Sequence, residues 1–510
     1  MNHKAKGRSM KRNRLGFIGL ALATGMLLAG TSASADDRYW VGNANANWSA
    51  TASWSAISGG TGGASVPDSG DTVIFDSAKN NSAILDASYA GSVGAVDVRS
   101  GYTQTITQRR ALTVAGALSL ASGAKWNYTA GTAATLDVGG DMTVNGTLEC
   151  QYTANTALTE GIGRTFTVGG NLNVGATGVI TANDLGFGGG TGPGTPGTAG
   201  NNHRGGAHGG KGGDSDATYP TKTYGNYQAP VSLGSGGASG IGGGAIRFTV
   251  TGATTHNGSI TANATDSSYG RGAGGSVFLT SGTLAGSGAI RANGGTATGT
   301  SGGGGGRVSL VVANALADFS AFNLANVSAY GGNGNASRGG GAGTVYLETA
   351  AQGAGNGTLV IDNNNLTVKY DFGATIPEGQ TWTVPLLVVT NRGILEAGTN
   401  SVLRLASSGV SGHPAVAGEG IRIKDGQLIL TEGELIVSNW DFRPNSRLTV
   451  TGNVVIASGA TMTHHLNDAI DLVLTGNLTV NAGGSINADG KSSQTTGGGS
   501  HTGAHGGEGL

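Results

Sequence analysis

The sequence predicts an all-β protein: a right-handed parallel β-helix, or solenoid, that carries long glycine-rich loop insertions. Three observations lead there. A nine-residue pattern, apolar-x-apolar-x-Gly-x-apolar-x-apolar, recurs as LTVAGALSL from Leu112, LDVGGDMTV from Leu136, FTVGGNLNV from Phe166, LTVTGNVVI from Leu448 and LVLTGNLTV from Leu472. Four further strands each follow a glycine run (GGGAIRF, AGGSVFL, GGGRVSL and GAGTVYL), with Ile246, Val277, Val308 and Val345 in register at spacings of 31, 31 and 37 residues. No amphipathic helical pattern separates these short segments, so period-two alternation is the dominant signal. The alternative, an array of antiparallel β-sandwiches, expects regular two-residue hairpin turns and strands 8–12 residues apart, and accounts less well for the 31-residue units.

Each part of the pattern has a physical reading. Alternation turns one side of every segment inwards, and each coil buries so few side chains that only stacking, at roughly 4.8 Å per coil, makes a continuous core. The central glycine of the nine-residue pattern predicts a tight bend with positive φ. Asn183, Asn263, Asn293 and Asp489 close the short strands GVITAN, GSITAN, GAIRAN and GSINAD. These residues tolerate left-handed backbone, and their side chains can hydrogen-bond along a stack of equivalent turns.

The chain divides accordingly into a signal peptide (1–35), an N-terminal β cap module (36–110), β-helix coils (111–182) and a glycine-rich insertion (183–242). Glycine-rich β-helix repeats (243–362), further coils (363–488) and the start of a second glycine-rich loop (489–510) follow. Lys4, Lys6, Arg8, Lys11, Arg12 and Arg14 precede the apolar run Leu15 to Ala29, and Ala33-Ser34-Ala35 offers a cleavage site before Asp36. The apolar run is short for a membrane anchor, and Thr31 stands where a lipoprotein would carry its lipidated cysteine. Cleavage removes six of the 29 basic residues and no acidic one, which leaves 23 basic against 30 acidic residues, a net charge of −7. That balance argues against nucleic-acid binding. The single cysteine, Cys150, forms no internal disulfide, and nothing after residue 35 is long and apolar enough to span a membrane. The last loop stops before a strand returns, so the sequence reads as the front part of a longer protein.

Glycine is 98 of the 510 residues, well above the usual ~7%. Two stretches, NNHRGGAHGGKGGD at 201–214 and GGGSHTGAHGGEGL at the end, share the core Gly-Ala-His-Gly-Gly-x-Gly. His203, His208, His501 and His505 raise a metal site, but neither stretch has the three or four converging ligands such a site needs. The preferred reading is a structural insertion whose backbone lies flat against the coils. His203 and His208 then behave as ordinary exposed positions whose replacement by alanine changes stability by at most ~0.5 kcal/mol. Gly209 to Asp214 fits half of a calcium-binding β-roll repeat, but Asp216 occupies the position for the large apolar residue and no tandem copy follows. The glycines from Ser301 precede a strand rather than a helix N-terminus, so they form no phosphate loop.

Catalytic groups are sparse. Glu396, Glu419, Lys424, Asp425, Glu432 and Glu434 make the densest charge after the leader, and Asp425 and Arg443 could align on neighbouring coils as in polysaccharide-cleaving enzymes. Solvated outer faces are the simpler account. His464 and His465 fall in a turn. Trp40, Trp48 and Trp54 could stack on sugars, but tryptophans gathered at one end better cap the coil stack.

The series YWVGNANANWSATASWS from Tyr39 and VPDSGDTVIFD from Val66 resembles the N-terminal module of many very large bacterial surface proteins. The middle, with GAHGGKGG, YGNYQAP, GGGAIRF, GSGAIRANGG and GGGGGRVSL, resembles the glycine-rich β-helix repeats of the same proteins, and GTLVIDNNN from Gly357 is similar to the segment that follows them. The resemblance implies an exported, autotransporter-passenger-like or adhesin-like architecture and no particular activity. The expected function is therefore a secreted or cell-surface structural, adhesin-like protein without catalytic, cofactor or metal residues. Its expected partners are extracellular glycans or other surface proteins. The alternative is a secreted β-helix protein that binds or degrades polysaccharide.

Overall fold

The computed structural model describes residues 35–128, 135–151, 160–161, 163–196, 203–214, 221–265, 270–335, 338–368, 373–397 and 401–411. Beyond these it describes the segments 420–423, 427–430, 434–437, 441–444, 448–450, 453–456, 458–459, 461–463 and 470–489. The expected leader therefore lies outside the described residues. The chain is all-β: no α-helix occurs among the described residues, only short 3-10 turns such as Thr51–Ser53. None of these is long and apolar enough to cross a membrane.

Three long sheets share the chain in turn. Ser92–Val93, Ala95–Val98 and Thr105–Gln108 belong to three different sheets; Leu112–Val114, Leu118–Leu120 and Lys125–Tyr128 repeat the visit and lie beside them. From Ser92–Val93 to Arg307–Val312 each strand thus bonds to a strand three strands earlier or later rather than to its neighbour in sequence. Among the described residues all but two of the strand pairings are parallel, which the antiparallel sandwich reading does not provide. The first sheet runs from Asp37–Trp40 to Thr283–Ala285, the second from Ala46–Asn47 to Val327–Ser328, and the third from Ser92–Val93 to Gln427–Leu430.

The nine-residue pattern is one corner of this path. Leu112 and Val114 lie in the third sheet, Leu118 and Leu120 in the first, and Ala115-Gly116-Ala117 turns between them. All four apolar side chains are buried, as are their partners Leu136, Val138, Met142 and Val144 one circuit on. The corner glycines do not take the expected positive φ. Their need is for closeness: a Cβ at Gly169 would lie 2.3 Å from the carbonyl oxygen of Gly139. That closeness lets the corners bond in a ladder, Gly139 N to Val114 O and Gly169 N to Val138 O, both at 2.7 Å.

The asparagines form the expected ladder without left-handed backbone. Asn183 Oδ1 accepts from Asn263 N (2.8 Å), Asn263 Oδ1 from Asn293 N (2.7 Å), and Asn293 Oδ1 from Tyr330 N (2.9 Å). A parallel ladder carries Asp141 to Asn171 N (2.7 Å) and Asn171 to Ala253 N (2.9 Å).

Strand direction reverses once in the third sheet. Thr344–Thr349 continues the parallel run, but Thr358–Asp362 pairs with it antiparallel, Val345 opposite Val360, and the strands after it are again parallel. One buried apolar cluster extends from Trp40 to Val345, and a second holds Tyr346, Leu359, Trp382, Leu395 and Met462.

Candidate functional site

The glycine-rich segments pack against the third sheet. Early strands there bury one face, as in Leu112–Val114 and Arg164–Val168, where alternate residues are exposed. Ser276–Ser281 and Arg307–Val312 bury both faces. The cover is the insertion, residues 203–214 and 221–242 above all, together with the glycine runs that precede each strand.

These runs are not strands. Gly302 N donates to Arg338 O and Gly305 N to Gly341 O; Gly303 N donates to Gly295 O and Gly306 N to Ala292 O; Gly304 N donates to Gly206 O, all at 2.8–3.0 Å. Successive N–H groups therefore point to three different neighbours and return to the first after three residues. A β-strand alternates with period two, whereas three residues per turn is the period of a polyproline II-type chain. The runs before the other strands behave alike: Arg271 N and Gly274 N donate to Ser301 O and Gly304 O, and Gly240 N and Gly243 N to Gly270 O and Ala273 O. Glycine is required because every direction is filled by backbone. A Cβ at Gly304 would stand 2.0 Å from Gly210 O.

The insertion's polar side chains are sunk into this lattice. His208, expected to be exposed, is fully buried. Its Nδ1 donates to Gly274 O at 2.9 Å, and its ring lies 4.8 Å from that of Tyr224. Burial, aided by the nearby Arg307 charge, pushes its pKa down to about 3, so the ring is neutral. The burial has a simple cause: flanking glycines read as an open loop, but here they let backbone close in on the imidazole. Tyr224 donates to Leu233 O and shares a 2.8 Å bond with Ser235 Oγ. Its carbonyl accepts Nε and Nη2 of Arg307 at 2.9 and 2.8 Å. Arg307 is fully buried, with Nη1 on Thr344 Oγ1 (3.1 Å) and its guanidinium 5.4 Å from the Trp382 ring centroid. Desolvation lowers its pKa to about 10, which leaves it cationic at neutral pH.

The lattice also joins distant parts of the chain. Lys211 Nζ meets Glu396 Oε1 at 2.7 Å, with both side chains largely buried. Asp214, the aspartate of the β-roll reading, pairs with Arg204 at 3.2 Å in the interior. Among the described residues no three His, Cys, Asp or Glu side chains gather as a metal cluster. Asp216, Glu419, Lys424, Asp425, Glu432, His464, His465, His501 and His505 lie outside the described residues. Arg443 stands beside Arg422 in the strand register, and Glu434 beside Asn453.

Trp40, Trp48 and Trp54 are buried too, which removes them as sugar-stacking platforms. They pack edge to face, Trp40 on Trp54 at 5.3 Å and Trp48 on Trp54 at 5.5 Å, with Phe75 beside all three. Trp54 Nε1 donates to Trp48 O at 2.7 Å. Asp71 of the Gly-Asp-x-Val-x-Phe-Asp series accepts from Asp36 N and Asp68 N at 3.0 and 3.1 Å, and Asp76 accepts from Ala78 N at 3.0 Å. The aromatic and acidic positions of that series thus serve folding. Trp54–Ser55 lies antiparallel on Asp37–Trp40 and covers that edge of the first sheet.

Sequence reasoning missed Tyr224, Tyr227, Arg307 and Trp382. The available signal was TYGNYQAP, which places two tyrosines in a segment otherwise short of large side chains. Chemically, the assembly fixes backbone: each donor named here ends on a carbonyl, a hydroxyl or an internal carboxylate. No protein-family model, no curated protein and no solved structure matches the chain.

Proposed function

We propose that the chain is an exported, cell-surface structural or adhesin-like protein without catalytic activity, built as a right-handed parallel β-helix that displays its outer faces to extracellular glycans or other surface proteins. The observation that carries the reading is the order in which the chain visits three sheets: from Ser92–Val93 to Arg307–Val312 each strand pairs in parallel with a strand three strands earlier or later in the sequence. Such a stack grows by adding coils and generates length and surface. Its outer rungs support a display role: Ser119, Thr143, Asn173 and Thr255 stand in register on the first sheet, with Asn173 and Thr255 exposed. The leader-like N-terminus and the resemblance to large bacterial surface proteins favour export. The alternative polysaccharide-degrading enzyme has less behind it, because the interior polar groups described above are occupied in holding backbone.

The test is to express the protein in a bacterial host, map it by protease shaving of intact cells, and measure adhesion of the purified chain to glycan-coated surfaces. Surface exposure with saturable adhesion supports the reading. Release of new reducing ends or unsaturated products from polysaccharide, or a protein retained in the cytoplasm, refutes it.

A further inference from the structure

Stacked repeats are quasi-one-dimensional: each coil touches only its neighbours, so stability is a sum of local terms and one end can open while the other holds. One segment here breaks that rule. Residues 203–214 and 221–235 come between Val179–Thr181 and Ala245–Val250 in the sequence, yet they bond to level after level of the third sheet and its flanks. Leu233 N donates to Glu160 O, and the Ser232 hydroxyl to the Glu160 carboxylate. Gly206 N reaches Arg271 O and His208 reaches Gly274 O; Gly213 N and Gly209 N reach Gly302 O and Gly305 O. Lys211 O accepts from Gly341 N, and Lys211 N donates to Gly373 O. Further on, Gln228 Nε2 donates to Gly355 O (3.1 Å), Thr223 Oγ1 to Thr375 O (2.7 Å) and Tyr227 OH to Thr383 O (2.9 Å). Lys211 Nζ then reaches Glu396.

The segment also crosses the point where strand direction reverses. Tyr227 packs on Tyr346, before the reversal, and on Trp382, after it, at 5.5 and 4.4 Å between ring centroids. Tyr227 is thus a buried member of the second apolar cluster, which holds rings from both sides of the reversal.

We infer that residues 203–214 and 221–235 form a longitudinal clamp that makes the strands from Arg164–Val168 to Ile394–Ala397 open as one cooperative unit. Opening any level inside that span strips the clamp of a hydrogen bond or an ion pair and leaves a buried group unpaired, so no level opens alone. The clamp comes early in the chain but closes only once Glu396 is in place.

Native-state hydrogen exchange on the full chain, read by peptide, tests this with the double variant Lys211→Met and Tyr227→Phe. Both changes preserve bulk and remove contacts only to Glu396 and Thr383. Exchange in Arg164–Val168 and Ala245–Val250 is expected to accelerate by the same factor as in Ile394–Ala397, roughly tenfold or more. Leu112–Val114 and Leu136–Val138, outside the clamp, keep their rates. Acceleration confined to 373–397, acceleration that decays level by level from there, or a uniform rise that includes Leu112–Val114 would each overturn the clamp. Should the pair fail to fold, Tyr227→Phe alone reads the same pattern at a smaller factor, roughly fivefold for one buried hydrogen bond.

Discussion

Acid should weaken this protein through His208. In the folded chain the ring is neutral, with Nδ1 committed to Gly274 O, and burial beside the Arg307 cation holds its pKa down at about 3. Unfolded, it titrates near 6.5. The unfolded state therefore binds the extra proton between these values, and the stabilisation is complete above pH 6.5 and lost as pH falls below it. The loss grows as RT ln(1 + 10^(6.5 − pH)), about 2 kcal/mol at pH 5 and about 3 at pH 4. His256, buried and bonded to Ala289 O with its pKa also lowered by desolvation, adds loss of the same sign. The comparison that isolates His208 is thus wild type against His208→Asn, whose amide can still donate to Gly274 O but cannot titrate. Denaturant unfolding followed by tryptophan fluorescence at pH 7.5 and pH 5 gives the two differences in stability. Wild type should lose about 2 kcal/mol more than the variant. If the two differ by less than ~0.5 kcal/mol, the imidazole is not buried as described.

Other consequences follow from the same packing. Trp54→Ala empties the centre of the aromatic cluster formed with Trp40, Trp48 and Phe75, and should cost ~3–5 kcal/mol in denaturant unfolding; a cost under ~1 kcal/mol contradicts the cluster. Asn263→Ala removes the acceptor for Asn293 N and should cost about 1 kcal/mol. Asn263→Asp, which keeps an acceptor, should recover most of it, and equal losses would show that the ladder bond does not matter. Because Arg204 pairs with Asp214, EDTA should leave the Tm unchanged; a fall of several degrees that calcium reverses would restore the β-roll reading.

Much of the strand framework was legible. Leu112, Val114, Leu118 and Leu120 alternate because a strand shows one side to the core, and their recurrence 24 residues later marks the next circuit. The stacked asparagines were legible because a side-chain amide at each equivalent turn has a definite use. What was not legible had no side-chain period to reveal it. The bend glycines were expected to supply positive φ, yet Gly139 and Gly169 are there because corner stacks on corner at backbone distance. His208 looked exposed for the same reason: glycine conceals burial, since it shows no apolar face. The Lys211–Glu396 pair spans 185 residues, and no local pattern reports it.

The chain therefore covers its parallel sheets by two unlike means. Inside, apolar rungs such as Phe166 stacked on Phe248 at 4.5 Å exclude water by area. Outside the third sheet, where Ser276, Arg307, Ser309 and Thr344 face the insertion, the cover is almost all main chain. Ordering glycine costs roughly 0.5–1 kcal/mol more than ordering alanine, and a buried hydrogen bond returns a net of about 0.5–1.5 kcal/mol. These terms nearly cancel for one isolated run. They favour folding only when each N–H has its partner, as at 302–306, where consecutive donors need residues 338–341, 292–295 and 206 all in place. A threefold lattice of this kind is unfavourable in pieces and favourable whole. That is why this glycine-rich segment, which composition alone assigns to flexible loops, depends on contacts distant in the sequence.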